Sequence, residues 1–429
     1  MLTVAQKIEH LKKLGFTGDL TEVEKFYLGQ KFQQNDLNLQ ELIKFSIELW
    51  KEYSLILKKI PSTVGKEKTK LINRKEEILS TVFPKHGVIC DIRDGFYCTI
   101  CAVDFDQNSL TSINKNVKFG KYTLAELGDF ALLGQDVKIG ATFGADIQPN
   151  KKIIISDDTW ICASTIIGVG TTVSRGTVLG IGACLYPGQK TEVNALMLGN
   201  PANTKLLINE NYQSKKDNHT YRSTFEIEQI VNHVNNLGLD VDDAFINALK
   251  GEKYNCASPC MAKITDFSHN LSCEFNNPST TDKRRHEIIN ILFPLKGKNF
   301  KIGQGLFVDV LGLAKIGENV QVGDNAFFAG NITIGDNVCI GVNSVFAGIG
   351  HELPAHGRRF RNFQGAYGEV CEVGKIQIAN NVDVGNDCTF APGAVLTQNL
   401  PSRCYIIGKD KIFEKVRLDK LVNEFMIER

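Results

Sequence analysis

A six-residue period in the second half of the chain constrains the fold more than any other feature. From Ile316 the sequence divides into the rows IGENVQ, VGDNAF, FAGNIT, IGDNVC, IGVNSV and FAGIGH. Each row begins with a large apolar residue, and glycine or alanine follows it. The first half carries the same period without a gap from Ile155 to Leu185. A helix repeats near 3.6 residues and a strand near 2, so neither alone accounts for a period of six.

The period predicts short strands that are separated by tight turns. The large residue of each row would point into a narrow core. Glycine, asparagine and aspartate suit the turns because they tolerate left-handed backbone angles. Coils of this kind stack on one another, and their backbone hydrogen bonds run along the stacking axis. We therefore expect a mainly β protein built from two parallel β-helices.

The two halves of the chain look like copies of one another. A charged amphipathic stretch precedes each repeat region. The first stretch ends at Phe83-Pro84 and the second at Phe293-Pro294, where proline should stop a helix. A length of 429 residues also suits two domains better than one. We expect each β-helix to follow a helical segment, with domains at residues 1–215 and 216–429.

Composition and charge exclude several classes of function. The net charge of +1 gives no electrostatic reason to expect nucleic acid or an anionic membrane as partner. The first nineteen residues are polar and charged, which is unlike a signal peptide, and no apolar run approaches the roughly 20 residues of a membrane span. The twelve cysteines are scattered, which is typical of reduced thiols. We expect a cytoplasmic protein with no membrane span and no metal.

The stretch from Ile334 to His351 resembles the hexapeptide-repeat acyltransferases. Together with the helical lead-in, the repeat and the histidine look most like maltose and galactoside O-acetyltransferases. The resemblance covers both halves. It implies left-handed parallel β-helices, a homotrimer with its active sites between subunits, and acetyl transfer from acetyl-CoA to a hydroxyl or an amine. It also implies that a histidine is the general base.

His351 is the residue that matches the family's base. It stands where the six-residue register breaks and a long stretch, about residues 352–375, leaves the repeat. A sugar hydroxyl is a poor nucleophile at pH 7, and an imidazole, whose unperturbed pKa is near 6.5, can take its proton, worth about 10²–10⁴ in rate. Backbone N–H groups of a coil turn would then serve as oxyanion donors.

Further site residues follow from the resemblance and from the composition of the stretch after His351. The family often has Glu-x-Gly-Lys before the next coil, so Glu372 would orient the base or hold the acceptor; a plain surface glutamate is the alternative. Asn331 resembles the family's acceptor-binding asparagine. Arg358, Arg359 and Tyr367 lie in a mixed basic and aromatic stretch that could bind the acceptor. The same stretch could equally be a packing loop with solvated arginines.

The first half lacks the histidine but keeps the family's ending, which helps to form the CoA groove. The residues that resemble this cofactor-binding part are Trp160, Gly199, Asn200, Pro201, Ala202 and Lys205. The second half has His351 but no Asn-Pro-Ala after Gly408. One hypothesis is that the halves divide the labour, or share a composite site.

The sequence therefore predicts an acetyl-CoA-dependent O-acetyltransferase that acts on a carbohydrate hydroxyl, on a surface polysaccharide or its precursor. Two alternatives stay open. One is an N-acetyltransferase acting on an amino-sugar nucleotide. The other is a non-catalytic β-helix scaffold, which the missing histidine of one half and the missing Asn-Pro-Ala of the other support.

Overall fold

The computed structural model of the chain describes residues 2–414, except for 61–62, 85–88, 106–109, 142–150, 210–221, 257, 352–353, 355–358, 362–366, 374–375, 387, 391–393 and 408. The chain divides into two compact units, one formed mainly by Met1–Asn209 and the other by Glu210–Val416. The predicted boundary after residue 215 falls outside the described residues.

The first unit begins with helices and continues with short strands. Its helices are α1 Val4–Lys13, α2 Thr21–Tyr27, α3 Leu37–Lys59 and α4 Gly65–Val82. Its strands are β1 Ile89–Ile92, β2 Val103–Phe105, β3 Leu110–Ile113, β4 Lys118–Phe119, β5 Ala125–Leu127, β6 Leu132–Leu133, β7 Lys138–Ala141, β8 Ile153–Ile155, β9 Trp160–Ile161, β10 Ile166–Gly168, β11 Thr172–Val173, β12 Val178–Leu179, β13 Cys184–Leu185, β14 Ala195–Leu198 and β15 Asn203–Leu207.

The second unit follows the same order. Its helices are α5 Thr224–Asn236, α6 Asp243–Lys250, α7 Pro259–Phe275 and α8 Asp282–Leu292. Its strands are β16 Tyr254–Asn255, β17 Leu295–Lys296, β18 Lys301–Ile302, β19 Phe307–Val308, β20 Ala314–Ile316, β21 Gln321–Val322, β22 Phe327–Ala329, β23 Ile332–Ile334, β24 Cys339–Ile340, β25 Val345–Ala347, β26 Ile349–His351, β27 Arg359–Arg361, β28 Tyr367–Val373, β29 Ile376–Ile378, β30 Asp383–Val384, β31 Thr389–Phe390, β32 Val395–Leu396, β33 Cys404–Ile407 and β34 Lys411–Glu414. Among the described helices, none is long and apolar enough to cross a membrane.

Each unit has three parallel sheets that form the sides of a prism. In the first unit their strand orders are β1-β3-β6-β9-β12-β14-β15, β13-β10-β7-β4 and β11-β8-β5-β2. In the second unit they are β17-β20-β23-β29-β32, β18-β21-β24-β30 and β19-β22-β25-β31-β33-β34. An antiparallel hairpin closes each prism, β14 with β15 and β33 with β34. The predicted fold class is confirmed: two left-handed parallel β-helices, each preceded by a helical segment.

The apolar residue of each row fills the axis of the prism. Phe328, Phe346 and Phe390 stack in successive coils with ring centroids 4.9 Å apart at each step, and each is at most 1% exposed. Burial of each phenylalanine contributes about 1.5–3 kcal/mol. Phe293, which follows α8, is fully buried and packs on Phe328 with ring centroids 5.3 Å apart, so the end of the helical segment belongs to the same core.

The turns explain the asparagine and glycine positions of the repeat. Asn299, Asn319, Asn337 and Asn381 have φ between 55° and 58°. Each of the first three donates from Nδ2 to the Oδ1 of the next at 2.8–3.1 Å. This ladder satisfies polar groups along one edge of the prism. A Cβ added to Gly317 would lie 2.5 Å from backbone atoms of the next coil, so the second position of a row must stay small.

A buried ion pair joins the helices of the first unit to its β-helix. The Lys7 ammonium on α1 donates to Asp104 Oδ2 at 2.9 Å and to the Cys101 carbonyl at 2.7 Å. The two charged side chains are 5% and 9% exposed. Lys152 lies 3.6 Å from the same carboxylate and adds a second cation.

Candidate functional site

An insertion leaves the prism of the second unit at the end of β25. Ile334 on β23 pairs directly with Ile378 on β29, so the coil is closed beneath the inserted residues. Strand β26 begins the insertion and carries His351 at its end. His351 is half-buried. The break in register that the sequence predicts at this histidine is therefore a strand that departs from the scaffold.

The inserted strands form a small antiparallel sheet of their own. Strand β28 pairs with β26, where Gly350 lies opposite Glu372 and His351 lies opposite Cys371. It also pairs with β16, where Tyr254 lies opposite Cys371. Strand β28 is thus held between the strand of His351 and a short strand that follows helix α6.

The other site residues predicted after His351 lie at different positions along the inserted strands, and one of them lies outside the described residues. Glu372 lies on β28, but it is opposite Gly350 and so is one position out of phase with His351. Tyr367 lies opposite Arg361 in the hairpin of β27 and β28, and Arg359 lies opposite Glu369. Arg358 lies outside the described residues. Glu372, Tyr367 and Arg359 therefore belong, with His351, to one small sheet.

Asn331 lies at the corner of the prism directly below the departing strand. Its backbone carbonyl accepts from the N–H of Ile376, where the chain returns from the insertion. Its side chain is 1% exposed and donates from Nδ2 to the carbonyl of Ala248 in the last turn of α6, at 2.9 Å. Among the described residues, nothing donates to its Oδ1 atom. Asn331 therefore ties the helical segment to this corner, with one acceptor atom left over.

Gly330 explains why the corner can be this tight. Its φ is +99°, and Gly348 of the next coil lies so close that an added Cβ would be 2.6 Å from the Gly348 carbonyl carbon. Only glycine fits both conditions. The coil that carries Asn331 thus stacks directly on the residues that lead into β26.

Further polar contacts hold helix α5 against the prism sheet that contains β20 and β23. Arg222 is 3% exposed and donates to the carbonyl of Leu313 at 2.6 Å. Burial lowers its pKa to about 10. Glu226, in the first turn of α5, accepts from Lys315 on β20 at 2.7 Å. These contacts hold the helical segment and the β-helix of this unit in one arrangement around the corner.

The residues predicted to bind the cofactor lie on one sheet of the first unit. Trp160 on β9 pairs through Val178 with Leu196 on β14. The turn Gly199–Ala202 joins β14 to β15, and Lys205 on β15 is exposed. The set is therefore collected at the closing end of this prism.

The closing turn itself is firmly bound to the last coil. The N–H of Cys184 donates to the Gly199 carbonyl at 3.0 Å, and the N–H of Ala202 donates to the Cys184 carbonyl at 2.7 Å. Asn200 Oδ1 is buried, and the described residues offer it no donor. In the second unit the corresponding hairpin has Asp410 instead, which accepts from the N–H of Thr397 at 2.7 Å.

The first unit also interrupts its prism at the matching place. Residues after β7 are inserted before β8, and Leu127 on β5 pairs with Ile155 across them. Residues 142–150, outside the described part, contain no histidine in the sequence. The two units thus share the position of the insertion but differ in its chemistry.

Within the described part of the chain, no group of three His, Cys, Asp or Glu side chains is placed to hold a metal ion.

Strand β16 was not predicted from the sequence. Its only signal is the β-favouring Tyr254 between Gly251, which ends α6, and Ser258, which caps α7.

The repeat matches a known protein family. Residues 314–348 match the family model described as bacterial transferase hexapeptide, six repeats. The part of the six-residue repeat that lies in the second unit is therefore similar to the hexapeptide repeat of that family, as the sequence predicted. A comparison with curated proteins gives no match.

Solved structures resemble the chain at low identity. A maltose O-acetyltransferase from Clostridium difficile 630 is 22% identical with a TM-score of 0.37, and the alignment covers 45% of this chain and 100% of that one. A hexapeptide-repeat acetyltransferase from Vibrio cholerae O1 biovar eltor, complexed with acetyl coenzyme A, is 20% identical with a TM-score of 0.35, covering 44% and 100%. An N-acyltransferase from Bacillus cereus in complex with dTDP and coenzyme A is 15% identical with a TM-score of 0.20, covering 32% and 90%.

Proposed function

We propose that the chain is an acetyl-CoA-dependent O-acetyltransferase that modifies a carbohydrate hydroxyl, on a surface polysaccharide or its precursor. One observation carries this proposal: a transferase hexapeptide repeat runs directly into a strand that leaves the prism and ends in a half-buried histidine. We also propose, from the sequence and the resemblance, that the protein is a homotrimer in the cytoplasm.

His351 is the proposed general base. As the acceptor hydroxyl attacks the thioester carbonyl, the imidazole takes the hydroxyl proton, and the proton passes to the departing thiolate. The half-buried position supports this role, because a base must be reachable by the acceptor and yet held by its surroundings. Strand β26, paired along β28, provides that support.

The acceptor would lie at the corner next to His351. Asn331 Oδ1 lacks a donor among the described residues, and a sugar hydroxyl that reached it would supply one. Glu372, Arg359 and Tyr367 belong to the same small sheet and are proposed to contact the acceptor or orient the base. Arg358 is proposed for the same role from the sequence.

Acetyl-CoA would bind at the closing end of the prism, where the first unit carries the family's turn. The buried Asn200 Oδ1 atom fits this proposal, because an amide N–H of the pantetheine arm would satisfy it. Gly199, Pro201 and Ala202 would shape the groove, with Trp160 and Lys205 on the same sheet. When bound, acetyl-CoA supplies the activated acetyl thioester.

The test is thiol release from acetyl-CoA by the full chain, with a panel of carbohydrate acceptors. We expect His351→Ala to lower kcat/KM by about 10²–10⁴. His286, an exposed histidine on α8 of the same unit, provides the matched control. His286→Ala should leave turnover unchanged. Wild-type activity in the His351 variant would refute the assignment of the base.

Two other functions make different predictions in the same assay. An N-acetyltransferase would release thiol with amino-sugar nucleotides and not with acceptors that offer only hydroxyls. A non-catalytic scaffold would release no His351-dependent thiol with either class. Replacing Asn200 by alanine tests the cofactor assignment separately, because it should raise the KM for acetyl-CoA without changing the KM for the acceptor.

A further inference from the structure

The last two helices of the first unit are longer than the corresponding helices of the second. Helices α4 and α8 both end immediately before a Phe-Pro pair, but α4 has 18 residues and α8 has 11. Helix α3 has 23 residues, whereas α7, which precedes α8, has 17. The hairpin of α3 and α4 therefore extends further than the hairpin of α7 and α8.

The additional turns of α4 contribute little to the core. Every residue from 65 to 70 is exposed, whereas Ile78, Leu79 and Val82 near the end of the helix are at most 4% exposed. An ion pair between Arg74 and Glu52, at 2.8 Å, joins the two helices further back along the hairpin. The end of the hairpin is therefore surface that the packing of the unit does not require.

This surface concentrates positive charge. We define the basic tip as residues 55–59 at the end of α3 and residues 64–72 at the start of α4. It contains five lysines and one glutamate, a net charge of +4, whereas the whole chain carries +1. The lysines are Lys58, Lys59, Lys66, Lys68 and Lys70.

The lysines of α4 are available to a partner. Lys58 lies 3.5 Å from Asp94, but none of the described carboxylates pairs with Lys66, Lys68 or Lys70. The corresponding turn of the second unit, residues 276–281, contains no charged residue in the sequence. The basic tip is thus a feature of the first unit alone.

Large apolar side chains are exposed among these lysines. Val64 is 82% exposed, Leu55 is 57% exposed and Ile72 is 39% exposed. At a rise of 1.5 Å per residue, all three lie within about 10 Å of the end of the hairpin along the helix axes. Lysines interspersed with exposed aliphatic side chains are typical of helical segments that bind anionic bilayers, because the two kinds of side chain contact the headgroups and the acyl chains. A soluble polyanion would use only the lysines.

We propose that the basic tip docks on the surface of an anionic phospholipid bilayer, with Val64 and Leu55 at the boundary between headgroups and acyl chains. The flexible lysine stems carry their ammonium groups to the lipid phosphates. The net charge of the whole chain gave no reason to expect this partner. Screening limits electrostatic attraction to about 8–10 Å, so the local charge decides the binding. The inference goes beyond the proposed acetyl transfer and does not depend on it.

Co-sedimentation of the full chain with lipid vesicles tests this docking. We expect the chain to bind vesicles of mixed phosphatidylserine and phosphatidylcholine much more tightly than vesicles of phosphatidylcholine alone, and added salt should weaken the binding. Each lysine near an anionic bilayer raises the partition coefficient about fivefold. The variant Lys66→Gln/Lys68→Gln/Lys70→Gln should therefore lower it about 100-fold. No binding of the wild type to the mixed vesicles would refute the proposal.

A charge-matched variant controls for the net charge of the protein. Lys263, Lys283 and Lys298 are exposed lysines of the second unit. Their combined replacement, Lys263→Gln/Lys283→Gln/Lys298→Gln, removes the same charge and should leave vesicle binding unchanged. If the two triple variants lose binding equally, total charge governs the interaction and the assignment to the basic tip is wrong.

Val64→Ser distinguishes a bilayer from a soluble polyanion. It should weaken binding to the mixed vesicles about three- to tenfold, because an apolar contact with the lipid is lost. Binding to dextran sulfate, which offers charge and no apolar phase, should not change. Vesicle binding by Val64→Ser at the wild-type level, together with binding of the wild type to dextran sulfate, would identify a polyanion site instead. His351→Ala should bind vesicles as the wild type does, so this assay and the thiol-release assay fail independently.

Discussion

Gly330 lies at the corner where β26 leaves the prism, and replacing it by alanine tests the geometry on which the site depends. The backbone φ of +99° is unfavourable for any side chain, which costs about 1–2 kcal/mol. The new Cβ would also lie 2.6 Å from the Gly348 carbonyl carbon and 2.8 Å from the Ile349 nitrogen. Such a collision with backbone adds about 1–3 kcal/mol. Gly330→Ala should thus destabilise the second unit by about 2–5 kcal/mol.

A control variant in the same unit separates the conformational cost of the positive φ from the cost of the backbone collision. Gly238 has φ +76° and no atom within 4 Å of an added Cβ, so Gly238→Ala carries the conformational cost alone. Urea denaturation of both full-length variants gives the difference in free energy of unfolding. Because the collision lies at the base of β26, Gly330→Ala should also lower His351-dependent thiol release about 10–100-fold. Equal destabilisation by the two variants would refute the proposed packing of the corner.

Three further predictions follow from polar contacts. Lys7→Met leaves the Asp104 carboxylate short of its nearest cation and should destabilise the first unit by about 3 kcal/mol in urea denaturation; a loss below about 1 kcal/mol would contradict a buried pair. Burial raises the pKa of Glu226, but hydrogen bonds, chiefly from Lys315, outweigh it and lower the pKa to about 2. Its contribution to stability is therefore full above the ordinary pKa of 4.5 and is lost as pH falls through about 2, so Glu226→Gln should flatten the stability–pH profile in that window. Asn331→Ala removes a buried hydrogen bond to helix α6 and should cost about 1 kcal/mol in thermal or urea denaturation, with no loss expected if the amide were solvated.

The two units differ in two places that carry proposed site residues, the insertion and the closing turn. The unit with the family's closing turn has no histidine in its insertion, and the unit with His351 has a different closing turn. Each unit closes its own prism with its own hairpin and has its own buried core. Each unit therefore has its own core and closing hairpin, whereas the residues of the insertion and of the closing turn differ between the two.

The sequence by itself determined the scaffold. A large apolar residue at every sixth position can be buried together with the others only at the axis of a three-sided coil. Phe328, Phe346 and Phe390 stack at that axis. Glycine in the second position and asparagine in the turns follow from close approach and left-handed backbone angles. These are local requirements repeated along the chain, so a single sequence is sufficient to read them. The departure of the chain at His351 was predicted for the same reason, since a broken period is visible without a structure.

Only the tertiary structure decided which residues meet around that histidine. Cys371, and not Glu372, lies opposite His351, because the register of an antiparallel pair depends on where the returning strand docks. Asn331 is buried against helix α6, a contact across 83 positions of the chain that no local pattern encodes. Tyr254 joins the same sheet from the helical segment. Local periodicity specifies the coils, whereas the pairing of an insertion with distant segments depends on packing that is fixed only when the whole unit has folded.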